Sequence, residues 1–351
     1  MAFEGFMKGN EAAAEAAVRA GCRCYFFYPL TPQSEIGEYL VTRMPEVGGV
    51  VLQAESEVAA INMVFGAAAT GKRTMTSSSG CGISLMSEGL SYIAAAEVPV
   101  VIVDVMRGGP GLGSLLPTQA DYYQVVKGGG HGGYRMPVFG SADVQELADN
   151  VFEAFDVAEK YRTPVAVLID PITGQMMEAV EFPAPVPPKA PPAWALTGCA
   201  GRKKNVIRTG YGPNLPPHTE ALYQKYGRMK DELQRWEEHE TADADIILVG
   251  FGIVGRILKT VTAEARARGL KVGLIRPITM WPFPERGFAA ASGKDVDFLT
   301  VEMNDGQMYE DVIVAVGDRR KVHFLRSYGA LVPKTDEILA KIEELAGRKR
   351  S

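Results

Sequence analysis

Residues 73–113, RTMTSSSGCGISLMSEGLSYIAAAEVPVVIVDVMRGGPGLG, carry the pattern that decides the fold. Arg73 to Thr76 reads as a strand, Ile83 to Ala95 as a helix, and Val98 to Val105 as a near-continuous apolar strand. A loop of small residues follows the first strand and a Gly-rich loop follows the second. Strands without polar alternation are buried on both faces, and helices between them make the sheet parallel. The expected class is α/β.

The same alternation extends in both directions. Upstream lie a helix from Asn10 to Gly21, an aromatic strand from Cys22 to Tyr28, a helix near Ser34 to Arg43, a strand at Gly49 to Leu52 and a helix from Ser56 to Thr70. Downstream, a long helix from Ser141 to Lys160 and a strand at Val165 to Ile169 close the unit. Glu181 to Ala193, EFPAPVPPKAPPA, holds six prolines. Neither a helix nor a central strand tolerates that, so it reads as an extended linker. A charged helix is expected near Leu222 to Glu240. From Ala242 a second alternating unit begins with DADIILVGFG and ends in a helix from Pro333 to Ala346. The expected division is 1–178, a connecting stretch 179–241, and 242–351.

Composition narrows the function. The chain has 351 residues, 46% hydrophobic and 23% charged, which suits folded domains and argues against wholesale disorder. A net charge of −5 without a basic run gives no nucleic-acid surface. No apolar stretch approaches the roughly 20 residues that span a bilayer, and the N-terminus MAFEGFMKGN has no signal pattern, so a cytoplasmic location without membrane contact is expected. Four cysteines, Cys22, Cys24, Cys81 and Cys199, match neither a disulfide framework nor iron–sulfur spacing, so no metal is expected in this chain.

In an open parallel sheet, ligands sit beyond the carboxyl ends of the strands. Four such ends here are loaded: Tyr28-Pro-Leu-Thr31-Pro, Gln53-Ala-Glu55-Ser-Glu57, Ser77-Ser-Ser-Gly-Cys-Gly82 and Arg107-Gly-Gly-Pro-Gly-Leu-Gly113. Each alone is ordinary turn chemistry. Four on one rim make a site. YPLTPQSEI, QAESEVAAINMVFGAA, TSSSGCGISLMSEG and MRGGPGLG, with the later KGGGHGGY, resemble the alpha subunit of the 2-oxoacid:ferredoxin oxidoreductases over nearly the whole chain. The resemblance implies a pyrimidine-type thiamine diphosphate-binding domain followed by a transketolase C-terminal-like α/β domain. MRGGPGLGSLLP and KGGGHGGY are most similar to the 2-oxoisovalerate (branched-chain) type. The 2-oxoglutarate type, which commonly has Ser-Thr where this chain has Gly111-Leu112, is the alternative.

By that resemblance Glu57 is the carboxylate that bonds N1′ of the aminopyrimidine and favours the tautomer able to take the thiazolium C2 proton; Glu55 is the fallback. Thr31 and Arg107 are implied to hold the substrate, Arg107 by forking two bonds onto its carboxylate. Tyr28, Pro29, Ser79 and Gly80 are implied to line the cofactor. Cys81 stands where the family usually has Pro, and is also read as a core thiol. His131 is open between approach to substrate or coenzyme A and an exposed loop histidine. The chain lacks the Gly-Asp-Gly that anchors diphosphate and magnesium. The resemblance therefore assigns Mg²⁺ and [4Fe–4S] clusters to beta, gamma and delta-type partner subunits, with ferredoxin as acceptor and coenzyme A as co-substrate.

Two readings from other classes stay open. Gly250-Phe-Gly252-Ile-Val-Gly255 after a strand formally matches a dinucleotide fingerprint, although the next strand ends in Arg276-Pro277 and lacks the acid that holds a ribose. That would make the chain an NAD(P)-dependent dehydrogenase. The other reading is a non-catalytic scaffold subunit.

Overall fold

The structure is a computed structural model that describes residues 3–292, 295–328 and 331–350. The chain runs through β1 (Phe3–Lys8), α1 (Gly9–Arg19), β2 (Cys24–Phe27), α2 (Ser34–Glu46), β3 (Val50–Gln53), α3 (Glu57–Ala69), β4 (Thr74–Ser78), α4 (Cys81–Ala95) and β5 (Val100–Val105). A long loop with the short α5 (Tyr122–Val126) leads to β6 (Val138–Gly140), α6 (Val144–Tyr161), β7 (Pro164–Ile169), α7 (Pro171–Gln175) and β8 (Met177–Phe182). Then follow α8 (Leu215–Glu232), β9 (Trp236–His239), β10 (Ile246–Val249), α9 (Gly252–Ala267), β11 (Val272–Pro277) and β12 (Thr279–Trp281). The chain closes with α10 (Glu285–Ser292), β13 (Asp297–Glu302), α11 (Gln307–Val316), β14 (Val322–Arg326) and α12 (Thr335–Arg350).

Seven strands form one sheet in the order β12-β6-β7-β5-β4-β2-β3, parallel except for the antiparallel β12. Every residue of β4, β5 and β7 is buried, as the apolar runs of β5 and β7 require and as the central place of the hydroxyl-rich β4 imposes, whereas the edge strand β3 is largely exposed. The alanines of α1 are fully buried, because small side chains let this helix pack closely on α2 and α6. A second sheet, β14-β13-β10-β11-β9, is parallel but for β9.

Several elements differ from the sequence reading. β1 and β8 pair antiparallel as a separate ribbon, so Glu181 and Phe182 belong to a strand and the extended stretch begins at Pro183. The expected helix at 222–240 is displaced. α8 starts at Leu215, with Pro216 and Pro217 in the first turn where their missing N–H groups cost nothing, and ends at Glu232. The charged Trp236–His239 is a strand because Glu237 meets Arg276 at 2.7 Å and Lys259 at 2.8 Å. β12 leaves the second unit and completes the first sheet beside β6, a pairing three residues long that no periodicity announces.

Candidate active site

β2 pairs with β3 on one side and β4 on the other, so the strand order of the large sheet reverses at β2. Loops leaving the two sides of such a point diverge and open a crevice. The loops after β2, β3, β4 and β5 converge here.

Glu57 is the first residue of α3, only 5% exposed, behind the N-cap Ser56, whose hydroxyl accepts from Ala59 N–H at 3.2 Å. A carboxylate in the first helical turn is favoured by the unsatisfied N–H groups there. Its Oε1 lies against Gly82 in the first turn of α4. A Cβ on Gly82 would sit 2.7 Å from Glu57 Oε1 and 2.8 Å from Leu30 Cδ2, and would collide with Ser78 Oγ. Gly82 therefore lets three loops close around one point. Ser78 and Ser79 are fully buried and neither hydroxyl has a hydrogen-bond partner. Two orphaned hydroxyls beside a buried carboxylate are costly unless a polar ligand completes them. The set fits one edge of an aminopyrimidine, which offers nitrogen donors and acceptors to a carboxylate and hydroxyls.

Arg107, directly after β5, is 4% exposed. Its Nη1 donates to Thr31 O at 3.2 Å, its Nη2 donates to Leu112 O, and its Nε is buried without a partner. Of five guanidinium N–H donors two are used, which leaves a fork for an incoming carboxylate. Gly80 has φ +42°, and a Cβ there would lie 2.5 Å from Arg107 Cγ, so this glycine lets the arginine stem pass over the β4 loop. Thr31 is exposed and Pro29 is exposed beside it; the half-buried Tyr28 gives its carbonyl to Gln33 Nε2 at 3.2 Å. Gln33 is itself held by Ser77 Oγ at 2.6 Å, which also meets Tyr25 OH at 2.5 Å.

The structure thus brings Glu57, Ser79, Gly80 and Arg107 to one crevice, with the Tyr28–Thr31 turn on its rim. Glu55, the fallback, is exposed on the loop before Glu57. Cys81 is half-buried at the start of α4. His131 is not brought in. Its glycine loop lies against Ser87 and Glu88, about 9 Å along α4 from Gly82, beside a cavity of about 430 Å³ that also includes Tyr92 and His218.

Sequence reasoning missed a buried acid pair beneath the crevice. Asp121 is 5% exposed and accepts at Oδ2 from Arg107 N–H (3.0 Å) and Gly80 N–H (3.2 Å). Burial pushes its carboxyl up to about 6, against the pull of those N–H groups. Asp104 is fully buried on β5, in register with Ser78, and neither of its oxygens has a hydrogen-bond partner. Burial first, and the Asp121 charge second, hold its carboxyl well above the ordinary range. The visible sign was one aspartate inside Val100–Val105.

The dinucleotide-like turn has no room for a nucleotide. α9 begins under Asp170, whose Oδ2 accepts from Ile253 N–H at 3.2 Å, and Gln119 Nε2 donates to Phe251 O at 2.9 Å. A Cβ on Gly255 would lie 2.6 Å from Arg276 Cδ, and Arg276 is paired with Glu146 and Glu237. These glycines serve close packing. Among the described residues no cluster of His, Cys, Asp and Glu could hold a metal, and no helix is long and apolar enough to cross a membrane.

Residues 15–226 match the family model described as pyruvate flavodoxin/ferredoxin oxidoreductase, thiamine diphosphate-binding, and residues 244–338 match pyruvate:ferredoxin oxidoreductase core domain II. The chain is 46% identical over 344 residues to ketoisovalerate oxidoreductase subunit VorB of Methanothermobacter thermautotrophicus, covering 97% of both chains. It is 35% identical over 372 residues to 2-oxoglutarate synthase subunit KorA of Methanothermobacter marburgensis, covering 97% of this chain and 99% of that one. Among solved structures, a 2-oxoglutarate:ferredoxin oxidoreductase from Magnetococcus marinus, with 2-oxoglutarate, coenzyme A and succinyl-CoA bound, superposes with a TM-score of 0.86 at 26% identity. That match covers 97% of this chain and 65% of the larger one, so the chain spans just under two thirds of that relative. A split-gene transketolase, at TM-score 0.61 and 13% identity, shares the fold alone.

Proposed function

The chain belongs to the pyruvate flavodoxin/ferredoxin oxidoreductase family of thiamine diphosphate-dependent 2-oxoacid:ferredoxin oxidoreductases, and from that premise we propose that it is the alpha subunit of a coenzyme A-acylating enzyme acting on 2-oxoisovalerate. The reaction is 2-oxoacid, coenzyme A and oxidised ferredoxin giving acyl-CoA, carbon dioxide and reduced ferredoxin. Bound thiamine diphosphate supplies the nucleophilic carbon and the electron sink for decarboxylation. Residues 1–178 would form the pyrimidine-binding unit and 242–351 the transketolase C-terminal-like unit.

In this reading Glu57 holds a proton at the pyrimidine N1′, and its burial gives that hydrogen bond strength that water would dissipate. The Ser78 and Ser79 hydroxyls supply the remaining polar contacts on the pyrimidine side, with Gly80 and Tyr28-Pro29 as backbone walls. Arg107 grips the substrate carboxylate through Nε and its free Nη donors, and the Thr31 hydroxyl reaches the same group from the rim. Beta, gamma and delta-type subunits would bring the diphosphate anchor, Mg²⁺ and the [4Fe–4S] clusters, in a cytoplasmic complex that passes electrons to ferredoxin.

The observation that carries the choice of substrate is the loop after Arg107. Leu112 accepts from the guanidinium through its carbonyl, and its side chain, with Leu115 and Leu116, is exposed beside it at 78%, 49% and 58%. An apolar loop there suits an apolar substrate tail. The second reading, 2-oxoglutarate, is favoured by the TM-score of 0.86 to the 2-oxoglutarate enzyme. Dye reduction dependent on both coenzyme A and 2-oxoacid, measured on the natively purified assembly, separates them. The expected order is 2-oxoisovalerate above 2-oxoglutarate, pyruvate and an arylpyruvate in kcat/KM. A preference for 2-oxoglutarate installs the second reading, and no turnover with cofactor and partner chains present leaves the scaffold.

A further inference from the structure

Asp121 lies farther along the same long loop that begins with Arg107, and it ties the start of that loop to the β4 loop. Its Oδ2 accepts the backbone N–H of Gly80 and of Arg107, and its Oδ1 accepts from Gln124 Nε2 at 3.0 Å. Gln124 Nε2 also donates to Gly80 O at 3.1 Å, so the β4 loop is held at both backbone groups of one residue. Gly80 begins the helix that carries Gly82 to Glu57, and Arg107 carries the guanidinium. The separation between cofactor side and substrate side is therefore set through one buried carboxylate. Burial, and then the charge of Asp121, hold the Asp104 carboxyl behind it well above the ordinary carboxylate range, while Asp121, at about 6, is ionised at neutral pH. An ionised acceptor makes both N–H bonds charge-assisted, about twice the strength of neutral ones.

The stretch bearing Asp121 is fixed at its other end. The second sheet also reverses strand order, at β10, which pairs with β11 on one side and β13 on the other. Gln119 fills that crevice. Its Oε1 accepts from Met303 N–H at 3.1 Å, its carbonyl accepts from Asn304 Nδ2 at 2.8 Å, and its N–H donates to Met303 O at 3.2 Å, besides the bond to Phe251 O. A single residue, Ala120, separates this plug from the carboxylate that joins the two loops.

We propose that Asp121 is a positioning residue for the 2-oxoacid reaction: its carboxylate fixes the β4 loop and Arg107 relative to each other, and Gln119 ties that setting to the seating of the second sheet. This rests on the reading of the crevice as the thiamine diphosphate and 2-oxoacid site.

The test uses the assembled enzyme with Asp121→Ala, Asp121→Asn and Asp121→Glu, each measured for 2-oxoacid KM, kcat and thiamine diphosphate dissociation constant. Ala removes the acceptor, and is expected to raise KM and weaken the cofactor about tenfold or more, with a smaller change in kcat. Asn keeps a carbonyl oxygen within reach of both N–H groups and should stay within about threefold of the parent. Glu keeps the charge but moves it by a methylene, and should be worse than Asn. KM and cofactor affinity unchanged in Ala, or Asn as impaired as Ala, overturns the proposal. If Ala does not assemble, the comparison of Glu with Asn decides, and Glu equal to the parent overturns it. If the parent turns over no 2-oxoacid, the reading of the reaction fails; cofactor affinity then judges Asp121 by the same comparison.

Discussion

Glu57 shows what a single residue needs in order to act. A carboxylate in water exchanges partners freely, whereas Glu57 is almost wholly buried at the point where Gly82, Ser78 and Leu30 also converge, so only a group fitted to that point can meet it. Glu57→Ala is expected to abolish turnover, by at least about a hundredfold as for loss of a proton-handling group, while the subunit assembly persists on size-exclusion chromatography. Activity within tenfold of the parent removes Glu57 from the mechanism. Glu57, Thr31 and Arg107 stood out as candidates in the sequence because each follows a strand and sits in a family motif, and the structure places Glu57 and Arg107 in one crevice with Thr31 on its rim. Asp121 did not stand out, because its significance lies in two backbone N–H groups, one 14 residues back on its own loop and one on the β4 loop, and no local pattern encodes such a meeting.

Elements were legible in proportion to their length and burial. β5 and β7 are completely buried and read plainly as apolar runs, whereas β4, equally buried but rich in hydroxyls, extends two residues further, to Ser78, than the sequence reading placed it. β6, β9 and β12 are three or four residues long and gain their identity from partners remote in sequence. The junction between α7 and α9 is another case. Asp170 is fully buried and accepts from Ile172 N–H, Thr173 N–H, Thr173 Oγ1 and Ile253 N–H, at 3.0–3.2 Å. One side chain caps two helices in different units. Asp170→Ala strands these donors, and should lower stability by about 2–4 kcal/mol, read as a lower denaturation midpoint of the assembled enzyme. An unchanged midpoint refutes the shared cap.

At the scale of the whole molecule, three buried carboxyls act in the same direction. Burial pushes Glu302 up to about 7 despite bonds from Met308 N–H, Tyr309 N–H and Asn304 Nδ2, it pushes Asp121 to about 6, and it holds Asp104 well above the ordinary carboxylate range. The unfolded chain releases these protons near pH 4–4.5, so between there and neutrality the folded state binds more protons. Stability therefore falls as pH rises from about 4.5 to 7 on their account. A thermal midpoint that declines over this window in the parent, and declines less in Glu302→Gln, is the expected result; identical slopes remove Glu302 from the linkage.

Local sequence was enough for the α/β class, the family and the rim that carries the candidate site, because periodicity, strand-end composition and motif order are local properties of the chain. Only the folded chain shows that Gly250–Gly255 is a packing turn, that β12 belongs to the first sheet, and that Asp104 and Asp121 lie under the loops of the candidate site. Those outcomes depend on which distant segments come within hydrogen-bonding distance, and that is set by closure of the whole core, in which each contact is conditional on all the others.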